Sequence, residues 1–185
     1  MKVIVKATIK ITTIMIAMLL LSNLALAEMP LPKGVIKQDG RDAPALKLLD
    51  LDGKSFDLKK SRGRWVFVHF WATWCGPCRR EMPLINEVWS TFENSDLEFV
   101  LVNTAETEDI VFEFIGIAAP DMMSLMDTDG LVTEKWQPRG LPSTYFVDPQ
   151  GRVKYLALGG RPWNKPEYIK FLQALSQTKS QPLQK

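Results

Sequence analysis

The chain has 185 residues, 46% hydrophobic and 24% charged, with 23 Lys+Arg against 21 Asp+Glu. A net charge of +2, with no basic run and no basic–aromatic interleaving, leaves no footprint for nucleic acid. Two cysteines are too few for a disulfide scaffold.

Taken in chain order, residues 1–27 read as an export signal. Lys2, Lys6 and Lys10 make a basic start, Ile11 to Leu21 an apolar stretch broken only by Thr12 and Thr13, and Ala25-Leu26-Ala27 a small-x-small cleavage site before Glu28. The stretch is short for a transmembrane helix, and no cysteine follows that could carry a lipid. An uncleaved anchor is the competing reading. Removing the segment takes away three lysines and no acid, so 23 less 3 leaves 20 Lys+Arg against 21 Asp+Glu, a net charge near −1. What remains is long enough for one domain with its own core, and its expected location is the periplasm.

Met29 to Arg41, with Pro30, Pro32, Gly34 and Gly40, shows no period, so residues 28–42 are expected to form a linker or extended arm. Leu46 to Leu51 and Ser55 to Leu58 flank Asp52-Gly53, a hairpin signal. The apolar run Trp65 to Trp71 predicts a buried strand, and Arg79 to Phe92 a helix in which Pro83 should produce a kink. Leu97 to Asn103 predicts a second buried strand. Asp109 to Gly116 suggests a helix with Ile110, Phe112, Phe114 and Ile115 partly inward, and Ser124 to Asp127 a short strand. Ser143 to Val147 and Val153 to Leu158 predict an antiparallel pair around Asp148-Pro149-Gln150-Gly151. Glu167 to Gln177 predicts a last amphipathic helix. The order β-α-β-α then β-β-α, after an N-terminal hairpin, implies an α/β mixed sheet with helices on both faces, over residues 43–178, with 179–185 a polar tail.

Both cysteines lie in Phe70-Trp71-Ala72-Thr73-Trp74-Cys75-Gly76-Pro77-Cys78, where the first buried strand gives way to a helix. Backbone N–H groups and the helix dipole there favour a thiolate at Cys75. Pro77 suits the first helical turn, where its missing N–H costs nothing, and Gly76 lets a partner's backbone come close. The expected chemistry is a redox dithiol: Cys75 attacks a substrate disulfide and Cys78, one turn on, resolves the mixed disulfide. A structural zinc site needs four N/S ligands, and only Cys75, Cys78 and His69 are on offer. A disulfide kept for stability alone would close a loop of about four residues, worth roughly 2 kcal/mol.

Trp74-Cys75-Gly76-Pro77-Cys78 is similar to the active-site sequence of thioredoxins, and the surrounding chain resembles the TlpA/ResA-like periplasmic reductases of that superfamily. Gly140-Leu141-Pro142-Ser143-Thr144-Tyr145-Phe146-Val147 resembles the family's cis-proline segment. Ala43-Pro44-Ala45 and Leu49-Asp50-Leu51-Asp52-Gly53-Lys54 resemble its N-terminal hairpin. The similarity spans about Ala43 to Leu175 and implies a thioredoxin-like fold. It also implies a short helix at Leu131 to Trp136 and a central insert at roughly Thr104 to Trp136.

The resemblance further implies a cis bond before Pro142, leaving the Leu141 backbone free to pair with an extended substrate. It places a tuning glutamate at Glu81, one turn past Cys78, where a carboxylate raises the thiol pKa values and can carry protons. A solvated glutamate paired with Arg79, Arg80 or a lysine is the plain alternative. His69 departs from the family, and two readings stand: a core histidine satisfied by the backbone, or a proton shuttle. Trp74 is expected to shield the thiolate and offer the partner a flat apolar surface. Trp65, Phe70 and Trp71 read as packing, and Trp136 and Trp163 as either.

The expected function is an exported thiol:disulfide oxidoreductase that reduces protein disulfides, with no cofactor beyond the Cys75–Cys78 pair and no metal. Its expected partners are protein disulfide substrates, such as apocytochrome c cysteines, and a membrane electron donor of the DsbD/CcdA type; the chain itself is expected to be a monomer. The competing functions are a peroxidase of the redoxin branch and a copper chaperone on the same fold. The first would normally lack a cysteine two residues after the reactive one. The second would use CxxxC with a later histidine.

Overall fold

The structure is a computed structural model that describes residues 30–177. The expected signal at 1–27 and the polar tail at 179–185 lie outside the described residues. Eight strands form one sheet: β1 (Val35–Lys37), β2 (Lys47–Asp50), β3 (Ser55–Asp57), β4 (Trp65–Trp71), β5 (Leu97–Thr104), β6 (Ser124–Asp127), β7 (Ser143–Val147) and β8 (Val153–Leu158). Their order across the sheet is β1-β8-β7-β4-β5-β6-β2-β3. Among the described residues four α-helices accompany them, besides a 3-10 turn at Leu58–Ser61: α1 (Gly76–Phe92), α2 (Glu108–Ala118), α3 (Leu131–Trp136) and α4 (Pro166–Gln177). Among the described residues, no helix is long and apolar enough to cross a membrane.

β4 is buried at every residue because it is central, parallel to β5 on one side and antiparallel to β7 on the other. Its period of two sorts the side chains between two cores. Val66, Val68 and Phe70 join Trp136, Tyr145, Val102 and Leu46 on one face. Phe67 meets Phe99, Phe146 and Trp163 on the other, and Phe146 packs edge-on against Phe171 of α4. His69 shares the parity of Phe67, with its ring 5.9 Å from the Phe67 ring. Trp65, Phe70, Trp71, Trp136 and Trp163 are all buried packing residues.

One local reading changes and two gain detail. The segment at 28–42 is not simply a linker. Val35–Lys37 pairs with β8 as the sheet's edge strand, and Asp42 bridges to Arg152. Three residues are too few to show an alternating pattern, and the anchors lie far along the chain: the Tyr168 hydroxyl donates to the Lys33 carbonyl at 2.6 Å. In α2 the inward positions are Val111 and Ile115, one turn apart, which leaves Ile110 and Phe112 exposed at 52% and 67%. α1 continues through Pro83, which lies on the helix's solvent side while Cys78, Glu81, Met82, Ile85, Val88 and Phe92 face inward.

Candidate active site

Leaving the buried end of β4, the chain turns at Ala72, whose carbonyl accepts from the Cys75 N–H at 3.2 Å. Cys75 then caps α1. Its Sγ accepts from the Cys78 N–H at 3.3 Å, so a reduced sulfur there would sit on a backbone donor and the positive end of the helix dipole. Cys75 and Cys78 are joined as a disulfide, Cα–Cα 5.2 Å, with Cys75 at 5% exposure and Cys78 at zero. Pro77 occupies the first helical turn and Gly76 is half-buried beside it. Trp74 is 69% exposed, which makes its ring a free apolar surface beside Cys75 in the chain.

The Leu141–Pro142 bond is cis. Ser143 pairs with Phe70 across β7 and β4, so this segment lies at the β4 end from which the Cys75 turn departs. The Gly159 N–H donates to the Pro142 carbonyl at 2.9 Å, and the Ser143 hydroxyl to the Gly140 carbonyl at 2.7 Å. Leu141 packs its side chain against the core.

Glu81 is 3% exposed and not a surface acid. Its helical phase turns it under the dithiol, toward β4 and the loop after β8 rather than toward Arg79 or Arg80. Its Oε2 accepts from the Arg161 N–H at 2.6 Å, and its Oε1 lies 3.3 Å from His69 Nε2. Gly160 packs over Pro77 and the carboxyl. His69 finds its other partner in the Thr144 hydroxyl, 2.9 Å from Nδ1, and not in the backbone. Burial pushes Glu81 up to about 8, against the pull of the Arg161 amide, the nearby Trp163 indole and the Arg161 guanidinium. Burial pushes His69 down to about 3. At neutral pH the contact therefore joins a carboxylic acid to a neutral imidazole and is not an ion pair. A groove of about 390 Å³, lined by Pro77, Arg80, Glu81, Leu84, Gly160, Arg161 and Pro162, brings solvent to the edge of this acid.

A second acid supports the turn from the opposite flank. Glu106 accepts from the Thr73 N–H and the Asn103 side-chain amide, each at 2.7 Å, and from the Thr73 hydroxyl. Ala105, at φ 58°, takes the left-handed conformation that aims Glu106 back at Thr73. Glu106 and Thr73 are 33 residues apart, and no local pattern links them. Replacing Glu106 with alanine leaves the Thr73 and Asn103 donors without their acceptor, and a loss of about 1–3 kcal/mol is expected in urea unfolding. Disulfide reductase activity should fall with it, as the turn that presents Cys75 loosens. A variant equal to wild type in both would remove Glu106 from the support of the site.

The chain is similar to proteins named as thiol-disulfide oxidoreductases. The model of the AhpC/TSA family matches residues 40–156. The thiol-disulfide oxidoreductase ResA of Bacillus subtilis is 33% identical over 121 residues, covering 65% of this chain and 68% of the relative. The protein of the same name from Geobacillus thermodenitrificans is 34% identical over 120 residues, covering 65% and 69%. Among solved structures, the thioredoxin domain of a thiol-disulfide oxidoreductase from Bacteroides vulgatus superposes with a TM-score of 0.65 at 25% identity, over 75% of this chain and 97% of that one.

Proposed function

The chain belongs to the AhpC/TSA family and is a thiol:disulfide oxidoreductase with a thioredoxin-like fold, and from that footing we propose that it reduces disulfides in exported proteins through Cys75 and Cys78. The observation that carries the direction of electron flow is the buried carboxyl one turn past the resolving cysteine. A dithiol becomes a strong oxidant when its reduced, thiolate form is stabilised. Here Glu81 is buried one helical turn past Cys78, so holding a Cys78 thiolate and a Glu81 carboxylate ionised together is costly. The Gly76-Pro77 spacer points the same way, since it resembles thioredoxins, whose potential is about −270 mV, rather than the oxidant at about −120 mV.

Cys75, held as a helix cap, attacks the substrate disulfide. Glu81 first releases its proton to solvent in the groove, and its carboxylate then takes the proton of Cys78 as that sulfur displaces the substrate thiolate. Trp74 and the Leu141 backbone beside Pro142 receive the substrate segment. The signal-like residues 1–27 support export to the periplasm. There the dithiol needs a membrane donor of the DsbD/CcdA type, and apocytochrome c cysteines are one fitting substrate. The peroxidase reading lacks its lone reactive cysteine, because the two cysteines are bonded to each other. The copper chaperone reading lacks its later histidine.

The purified protein, given dithiothreitol, is expected to precipitate insulin by reducing its interchain disulfides, and its equilibrium with glutathione should place it among reductants. Rapid oxidation of a reduced test protein with no insulin reduction would reverse the assigned direction.

A further inference from the structure

We infer that His69 is a positioning residue for Glu81: its imidazole takes a hydrogen bond from the protonated carboxyl and gives one to the carboxylate, while the Thr144 hydroxyl makes the complementary change at the other ring nitrogen. The inference rests on the proposed role of Glu81 as the proton carrier for Cys78. Its basis is geometric. His69 Nε2 and Glu81 Oε1 approach to 3.3 Å and both are buried; the other side-chain group that pulls on the carboxyl at this contact, the Trp163 indole, is a donor only. A buried polar atom left without a partner costs about 1–3 kcal/mol, so His69 Nε2 must pair with the carboxyl in whichever proton state Glu81 adopts. A fixed donor or a fixed acceptor at this position could serve only one of those states. A neutral imidazole has one nitrogen of each kind and can exchange them, and a hydroxyl at the far nitrogen is both donor and acceptor.

The proton balance follows from the thiol exchange. When a dithiol protein recharges the enzyme, its thiolate attacks Cys75 Sγ. The Cys75–Cys78 bond breaks, a mixed disulfide forms at Cys75, and the electron pair leaves on Cys78. That sulfur has no solvent exposure, and it takes its proton from the Glu81 carboxyl on the next turn. The carboxylate left behind keeps the Arg161 N–H on Oε2; the imidazole gives up its Nδ1 proton and takes one at Nε2, with no net change in its proton count, so that Nε2–H donates to Oε1 and the Thr144 hydroxyl donates to Nδ1. Solvent in the groove beside Arg80 and Arg161 returns the proton. Attack by Cys78 on a substrate mixed disulfide runs the same transfer in reverse. The groups around Glu81 are His69 from β4, Arg161 and the Trp163 indole from the loop after β8, Arg80 on the shared groove, and Cys78 one helical turn before it. Of these, His69 alone can both accept from and donate to the carboxyl. Its ring stays neutral across the range in which Glu81 titrates, because burial disfavours imidazolium.

The test follows the His69 ring nitrogens and the Glu81 carboxyl carbon by NMR in the full-length protein across pH, together with thiolate absorbance in the reduced state. The His69 tautomer is expected to change with the same midpoint as Glu81, with no imidazolium signal. His69→Leu should raise the Glu81 midpoint by about one unit or more, a tenfold change in proton affinity. His69→Gln, which keeps a donor and an acceptor, should recover most of it. Thr144→Val, nearly isosteric and suited to a strand, should abolish the tautomer change if the leucine variant fails to fold. A constant tautomer through the Glu81 titration, or leucine and glutamine variants that both titrate like wild type, would overturn the role of His69. The parent reading has its own readout: Glu81→Gln must lower the cysteine pKa values, and if it leaves them in place, Glu81 carries no proton for Cys78 whatever His69 does.

Discussion

Replacing Cys75 with serine is expected to reduce insulin turnover to the uncatalysed background, and replacing Cys78 with serine to leave a protein trapped as a mixed disulfide through Cys75. The two cysteines differ in position and so in task. Cys75 caps α1, with the Cys78 N–H on its sulfur, and lies beside the exposed Trp74. A serine hydroxyl there has no accessible anion at neutral pH and forms no bond to sulfur, so the first exchange step is lost outright. Cys78 is sealed from solvent beneath the helix start. It acts only on a disulfide already formed at Cys75, and without it the first step proceeds and the second does not. Mass spectrometry of the Cys78→Ser protein after incubation with a disulfide substrate should show the adduct on Cys75. Faster alkylation of Cys78 than of Cys75 in the reduced wild type would reverse the two assignments.

The oxidised protein is expected to be most stable between about pH 4.5 and 6.5 as far as Glu81 and His69 determine it. The sign follows from proton counts in the folded and unfolded states. Glu81 is raised from 4.5 to about 8, so between those values the folded state holds a proton that the unfolded state has released. Its contribution is complete below pH 4.5 and is lost as pH rises toward 8. His69 is lowered from 6.5 to about 3, so between those values the unfolded state holds the extra proton. Its contribution is complete above pH 6.5 and is lost as pH falls toward 3. From 4.5 to 6.5 the two slopes cancel. From 6.5 to 8 only Glu81 acts, and about 2 kcal/mol should be lost, at roughly 1.4 kcal/mol per pH unit. Tyr145, also raised by burial, begins above its ordinary value of 10.0 and stays out of this window.

Glu81→Gln keeps the shape of the neutral acid and an acceptor for the Arg161 N–H, and it should erase the alkaline fall while sparing stability at pH 6. Urea unfolding of both proteins from pH 5 to 8 measures this. An alkaline limb that persists unchanged in the glutamine variant would mean that the carboxyl ionises without penalty and that burial does not hold its proton.

What the sequence by itself determined is what depends on neighbours along the chain. Trp65 to Trp71 reads as a buried strand because every residue in it is apolar except His69, and the strand lies at the sheet's centre. Cys75 and Cys78 announce their chemistry through spacing and through a helix that begins between them. Gly140-Leu141-Pro142 marks the segment across from them through its resemblance to a known family. Local periodicity failed where it was too short or ambiguous: at Val35–Lys37, whose three residues show no alternation, and in α2, where Ile110, Val111, Phe112, Phe114, Ile115 and Ile117 compete for two inward positions.

Only the tertiary structure decided the state of the polar residues. Glu81 reads the same on paper whether it faces water or the core. Its burial comes from α1 packing on β4, and its backbone donor comes from Arg161, 80 residues on. His69 meets Thr144 across 75 residues, and Thr73 meets Glu106 across 33. The charge a carboxyl or imidazole carries is set by solvent exclusion and by donors that distant segments bring to it, and neither quantity is written in the residues on either side.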